Sequence, residues 1–389
     1  MLRVYFVDYL LFICIFYLLC SCQDTKIENS IKQYGIENSY GNKIPIQLDC
    51  ISDSVKIVKL ETTEKCFISN INKIYKNNNL IYIIHDNKCS VFNIEGKYLM
   101  DIGRLGNGPG EYIYINKLCF VNNDVWIYDS RKMCFYIYNC NGFYKNNIKL
   151  YEYFESLKQI TENVVAGLIS NDTGDAINRI KFFDSEGSVI DSILNTKLFF
   201  NLNFAKSSTL DGSFYKYNEE ILFKEGYNDT VFKVLANNQL QANCIINAGK
   251  YKFTIEDKFL NKDLKPRKGR MNLVIFENNK YMILRSHPMM PNEYIIINKK
   301  KNVANLTSFY YSDDLADNFI KQEEYANIKV GSQEGVKIRI SDGSPTFIIH
   351  NVSEDGNVLI GTETTVVGNY DDNPTVVLLY MNDLFETEI

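Results

Sequence analysis

Apolar and polar residues alternate along most of this chain in short runs, each ending at a turn. "IYIIHDNKCSVFNIEGKYL" pauses at Gly96, "WIYDSRKMCFYIYNCNGFY" at Gly142 and "NRIKFFDSEGSVI" at Gly187, a recurrence of about 45 residues. Each unit is an aromatic and β-branched run, a polar turn closed by glycine, then another run. That is a hairpin pattern, because glycine supplies the positive φ such a turn needs. Asp86 and Asp129 mark a second turn within the first two units. A period of this length, with four short strands per unit, predicts a β-propeller. "EEILFKEGYNDTVFKVLANNQ" gives a fourth unit, "KYMILRSHPMMPNEYIIINKKKN" a fifth, and "SPTFIIHNVSEDGNVLIGTETTV" with "PTVVLLYM" a sixth. The sixth has strands for only three of its four positions. "DSVKIVKLET", residues 53–62, precedes the first unit and is expected to supply the fourth, which removes the free sheet edges. The expected fold is therefore all-β: a six-bladed propeller of four-stranded antiparallel blades over residues 51–389, closed by an N-terminal strand. Residues 313–328 break the pattern, with Leu315, Phe319 and Ile320 at helical spacing, and are expected as a short helical insertion.

The opening residues follow a different rule. Arg3 supplies a short positive region, and residues 9–19 form an apolar run too short to span a bilayer comfortably. The run ends in "LCSC", which resembles the lipobox of bacterial lipoproteins, with Cys22 as the acceptor; the plainer reading is a secretory signal cleaved nearby. Residues 1–22 are thus expected as a lipoprotein signal peptide, with Cys22 becoming the lipidated first residue. The polar, Asn-rich residues 23–50 are expected as a flexible tether. This places the protein in the bacterial cell envelope, at the outer membrane, held by its lipid.

Composition narrows the partners. The 389 residues are 46% hydrophobic and carry a net charge of −5, so a sizeable core can form and no basic field attracts nucleic acid. After Cys22 come Cys50, Cys66, Cys89, Cys119, Cys134, Cys140 and Cys244, an odd set without a CxxC spacing. Neither a zinc ribbon nor a disulfide scaffold is indicated, and most of these thiols read as small buried hydrophobes.

The densest glycine signal is "GRLGNGPGEY", residues 103–112. It is not a phosphate cradle. Pro109 and Gly110 stand where a Walker loop needs Lys and Ser or Thr, Glu111 breaks the dinucleotide spacing, and the strand-like "YIYINKLCFV" follows instead of a helix. Gly103, Gly106, Gly108, Pro109 and Gly110 are instead expected to carry the chain from the outer edge of one blade to the inner strand of the next. Glu111 is expected to fold back onto backbone amides or Arg104.

The run "FNIEGKYLMDIGRLGNGPGEY" resembles the hallmark segment of a six-bladed β-propeller lipoprotein family related to NHL-repeat propellers. The likeness continues through Ile127-Tyr128-Asp129, "YNDTVFKV", "INAGKY" and "NPTVVLLYM". The resemblance implies the propeller fold and an envelope location, and assigns no chemistry.

Propeller topology selects a face. The turn between the second and third strands of a blade lies on the same side as the link from the fourth strand to the next blade. Asp86, Asp129 with Arg131, Asp172, Asp229 and His287 are therefore expected to ring the face that carries Arg104, Glu111 and Tyr112. These nine residues are the binding-face candidates. No catalytic residue is assigned: the three histidines His85, His287 and His350 belong to no HExxH, and no G-x-S-x-G elbow occurs. The expected role is a binding or scaffolding module, monomeric as a domain, for a peptide, a glycan or another envelope protein. The alternative is a calcium-assisted hydrolase of the lactonase or esterase type, in which Asp86, Asp129, Asp172 and Asp229 supply hard oxygen ligands. No cofactor is required by the first reading.

Overall fold

The computed structural model describes residues 31–41, 43–199, 211–255, 257, 269–287, 292–310, 346–363 and 373–381. The expected signal peptide with Cys22 and the helical insertion expected at 313–328 lie outside the described residues. What is described is a six-bladed β-propeller. Blade I comprises Lys73–Asn77, Leu80–His85, Lys88–Asn93 and Tyr98–Asp101; blade II, Lys117–Val121, Asp124–Asp129, Cys134–Asn139 and Tyr144–Lys149. Blade III comprises Phe154–Thr161, Val164–Ile169, Asn178–Asp184 and Val189–Leu194; blade IV, Gly212–Tyr217, Glu220–Glu225, Thr230–Val234 and Leu240–Asn247. Blade V comprises Met271–Glu277, Tyr281–His287, Tyr294–Asn298 and Val303–Thr307. Blade VI takes Thr346–Val352, Val358–Glu363 and Thr375–Met381, and its outer strand is Ser52–Lys59.

That last strand closes the ring. It pairs antiparallel with Thr375–Met381, from Thr375 opposite Lys59 to Met381 opposite Ser52. Each strand repeats the physical reason for the fold. In Leu80–His85, Ile81 and Ile83 join the core between blades VI and I, while Tyr82 and Ile84 join the core between blades I and II. Both faces of a blade are covered, so its middle strands read as continuous apolar runs. The outer strand of blade II, Tyr144–Lys149, is mostly exposed and reads as polar. Among the described residues, each of the six junctions is filled by its own apolar cluster. The first strands of blades II through VI lie against one another in succession, and that of blade VI against blade I, so first strands surround the axis.

The glycine turns lie between third and fourth strands. Asn93, Asn139 and Asp184 each accept two backbone amides with one side-chain oxygen, and Gly96, Gly142 and Gly187 follow at positive φ. Cys66, Cys89, Cys119, Cys134 and Cys244 are buried and unbridged, Cys50 is half-buried, and Cys140 is exposed.

Residues 32–50, expected as part of a flexible tether, are docked on the propeller. Lys32–Gly35 adds a fifth strand outside blade IV, with Tyr34 and Ile36 buried. The Ile44 amide bonds the Leu306 carbonyl (2.8 Å), Ile46–Gln47 runs parallel to Phe309–Tyr310, and Leu48 and Ile51 fill the core between blades V and VI. A few apolar anchors spaced among polar residues, plus sheet pairing, dock this segment on three blades. Among the described residues no helix is long and apolar enough to cross a membrane.

Closure predicts a sharp positional contrast. Val58 is buried against blade I, so Val58→Asp places an unpaired carboxylate in an apolar junction, at a cost of about 3 kcal/mol or more. Ser54→Asp, at the exposed start of the same strand, is expected to leave the urea midpoint within experimental error. Equal effects of the two substitutions would contradict the closing role.

Candidate functional site

The links from fourth to first strands and the turns between second and third strands share one face, and its order begins with the glycine loop. The Glu111 amide bonds the Gly108 carbonyl (3.1 Å), which makes Gly108–Pro109–Gly110–Glu111 a tight turn. Proline followed by a glycine at φ +70° is the signature of the type II form. The Glu111 side chain folds back inside the loop: Oε2 accepts the Gly108 amide (2.8 Å) and Oε1 meets Arg104 Nε (2.7 Å). That amide bond, then Arg104, holds the Glu111 carboxyl below the usual carboxylate range. A Cβ on Gly106 would stand 2.0 Å from Glu111 Oε2, so the fold-back requires glycine there. Lys132 Nζ ties the loop to blade II through the carbonyls of Gly106 (2.9 Å) and Glu111 (2.8 Å).

Two expected face residues are internal. Tyr112 is fully buried and donates its hydroxyl to the Ile102 carbonyl (2.8 Å). Asp129 is also fully buried. Its Oδ2 accepts the amides of Ile113 (2.8 Å) and Tyr114 (3.2 Å), and its Oδ1 those of Arg131 (2.9 Å) and Lys132 (3.0 Å). With four donors on one carboxylate, Asp129 organises the crossing and its own turn and has no capacity for a ligand. Arg131 stacks on the Tyr114 ring (4.7 Å) and Arg104 is largely exposed, so both remain at the surface. Asp86 is exposed beside buried His85, Asp229 pairs with Lys252 (2.9 Å), and His287 ends the second strand of blade V in solvent. Asp172 lies in the second turn of blade III. The four aspartates expected to share calcium are therefore not brought together: Asp129 is saturated, Asp229 is paired with Lys252, and Asp86 stands in blade I against His85.

His85 raises a second chemical question. Its Nε2 lies 2.8 Å from Ser90 Oγ and its Nδ1 3.2 Å from Asp86 Oδ2, the outline of a nucleophilic triad. Ser90, however, donates its proton to Asp101 Oδ1 (2.7 Å) and is buried, so the hydroxyl is neither activated nor accessible. His350 is pushed down to about 4 by burial and then by Arg285, and so is neutral at pH 7.

What the sequence reading did not single out is the charge at the starts of the inner strands. Four consecutive blades place Lys73, Lys117, Glu155 and Asp211 there. Lys73 Nζ bonds the Asn116 carbonyl, and burial, then the charge of Lys117, push it down to about 6. Burial also lowers Lys117, against the pull of Glu155. Arg179 is buried at the start of the third strand of blade III, with its Nε on Glu225 Oε1 (2.5 Å). Lys224, next to Glu225, is pushed down to about 8 by burial. The available signal was the repeat register: "NKIYKN" and "NKLCFV" place a lysine at the same position of two successive blades. The arrangement can bind charged and polar groups. On the opposite face lies a shallow polar recess lined by Lys216, Asn218, Glu277, Asn279, Asp355 and Asn357.

Fold and site together define a six-bladed propeller with a polar face built over charged groups at the inner strands of four consecutive blades. Residues 31–364 match the family described as Domain of unknown function DUF4934, and the chain belongs to that family. No curated protein matches the sequence. A Bacteroides fragilis protein described as exported has the same fold, at 15% identity and a TM-score of 0.60 over 91% of this chain and 100% of its own. A member of the DUF4221 family from Bacteroides vulgatus does so at 10% identity and a TM-score of 0.51, over 85% and 97%.

Two outcomes follow from these geometries. Asp129→Ala leaves four amides without their acceptor and is expected to cost about 3 kcal/mol or more, read as a lower urea midpoint. For Lys73, the unfolded chain holds its proton to about pH 10.4 and the folded chain releases it near 6. Between these values the unfolded state binds more protons, so this residue makes the fold more stable as pH rises. Lys73→Met removes that dependence: its stability relative to the parent should be greatest at pH 6 and fall steadily toward pH 10. A pH-independent difference would show that Lys73 is not desolvated.

Proposed function

We propose that this protein is a lipid-anchored cell-envelope propeller that binds another envelope macromolecule, a protein segment or a glycan, through the face carrying the glycine loop. The observation that carries the reading is a set of exposed apolar side chains in the links and turns of that face. Tyr151 and Tyr153, in the link from blade II to blade III, are 86% and 61% exposed. Leu105 in the glycine loop, Ile177 after the second turn of blade III, and Leu198 in the link to blade IV are exposed as well. Solvated links ordinarily carry polar residues; tyrosines held in the open on a rigid scaffold give contact area at low entropic cost. Arg104, and Arg131 stacked on Tyr114, flank them with charge. The likeness to an exported protein and the lipobox-like "LCSC" support an envelope location.

Hydrolysis is the weaker reading, because Ser90 is buried with its proton on Asp101 and three of the four expected calcium ligands lie apart in other blades.

The test uses the full chain expressed in a bacterial envelope. Photo-crosslinking from position 105 should capture a protein, or glycan arrays a sugar ligand. Tyr151→Ala with Tyr153→Ala should reduce capture at least tenfold without lowering the melting temperature. Undiminished capture, or hydrolysis of ester and lactone panels, would overturn the reading. Metabolic labelling with a lipid precursor should disappear in Cys22→Ala; retained label would remove the anchor.

A further inference from the structure

The same face holds a convergence of acidic groups that the binding role above does not use. One carboxylate oxygen each from Glu155, Asp172 and Asp211 lies within 4.8 Å of the others. They come from the inner strand of blade III, the second turn of blade III and the residue just before the inner strand of blade IV. Glu155 and Asp211 are buried, and Glu155 Oε2 also accepts the Asp211 amide (3.0 Å). Asp172 Oδ2 accepts the Ser170 hydroxyl (3.0 Å). Three carboxylates this close share protons, lie against cationic side chains as Glu155 does with Lys117, or hold a cation.

A second, independent observation concerns their neighbours. Arg179 commits Nε to Glu225 and Nη1 to the Ile169 carbonyl, but its Nη2 is buried without a hydrogen-bond partner. The guanidinium lies 5.8 Å from the centroid of the Tyr227 ring, and the Tyr227 hydroxyl is also buried and unpartnered. Both residues are 4% exposed, and both interact electrostatically with Glu155 and Asp211. Buried polar atoms left open by the protein are satisfied by water or an ion. Here two of them border the acidic convergence.

We propose that Glu155, Asp172 and Asp211 bind a divalent cation of the calcium type between blades III and IV, with water on the cation bonded to the Tyr227 hydroxyl and the Arg179 Nη2. The donor set is oxygen only, which suits a hard cation and not zinc. Ligands drawn from a strand, a turn and an inter-blade link favour calcium, which accepts irregular coordination, over magnesium. Arg179 is already neutralised by Glu225, so it does not substitute for the cation. The cation would join two blades at their inner strands.

The experiment titrates the full-length protein, stripped with a chelator, with calcium, magnesium and terbium. One calcium per chain is expected, with a dissociation constant of about 10⁻⁴–10⁻³ M as in extracellular calcium modules, together with a rise in melting temperature. Terbium luminescence sensitised by tyrosine should appear and be quenched by calcium. Asp172→Asn, at a partly exposed position, should weaken binding at least tenfold, and Asp211→Asn should do the same. Asp175→Asn, in the same turn but outside the convergence, should bind as the parent does. If Asp211→Asn does not fold, Asp172→Asn alone carries the test. No saturable calcium binding by the parent, or equal binding by Asp172→Asn, would overturn the site and leave shared protons and water as the occupants.

Discussion

Each blade of this protein has two apolar faces, and neither can be left to water. The strand that holds Ile81 and Ile83 toward blade VI and Tyr82 and Ile84 toward blade I's other neighbour is the plainest case. Burying such side chains is worth about 1.5–3 kcal/mol each, and the gain is complete only if the last blade meets the first. Ser52–Lys59 makes that meeting possible by lending blade VI its outer strand. The chain from residue 32 to 51 then follows blades IV, V and VI in order, so the N-terminal segment is fixed by the same closure.

Closure also creates the electrostatic problem from which the candidate site arises. Inner strands surround the axis, and what begins them is forced close together. Lysines open blades I and II there, and acids open blades III and IV. Burial lowers Lys73 and Lys117, while Arg179 answers Glu225. Asp129 shows the opposite solution, a buried carboxylate made affordable by four backbone amides. The glycine loop belongs with Asp129: its glutamate satisfies its own turn, and its contribution is to hold one crossing rigid on the face whose next link carries the exposed tyrosines.

Much of this was legible in the chain. Alternation and the glycine period gave six blades, the missing outer strand and the shared face of turns and links. Glu111 could be read because its partners are local, within three to seven residues. Asp129 and Tyr112 were misplaced for one reason: an aspartate at a turn and a tyrosine in a loop look solvated in one dimension, and only burial shows that they point inward. Residues 32–50 looked like a tether because their apolar residues are few, and sheet pairing with distant strands leaves no mark on composition.

The sequence by itself determined the repeating local unit, since strand alternation, turn chemistry and glycine φ act over a few residues. The tertiary structure alone decided which charges meet. Glu155, Asp172, Arg179, Asp211, Glu225 and Tyr227 span some seventy residues and two blades, share no period, and converge only because the ring sets blades III and IV side by side.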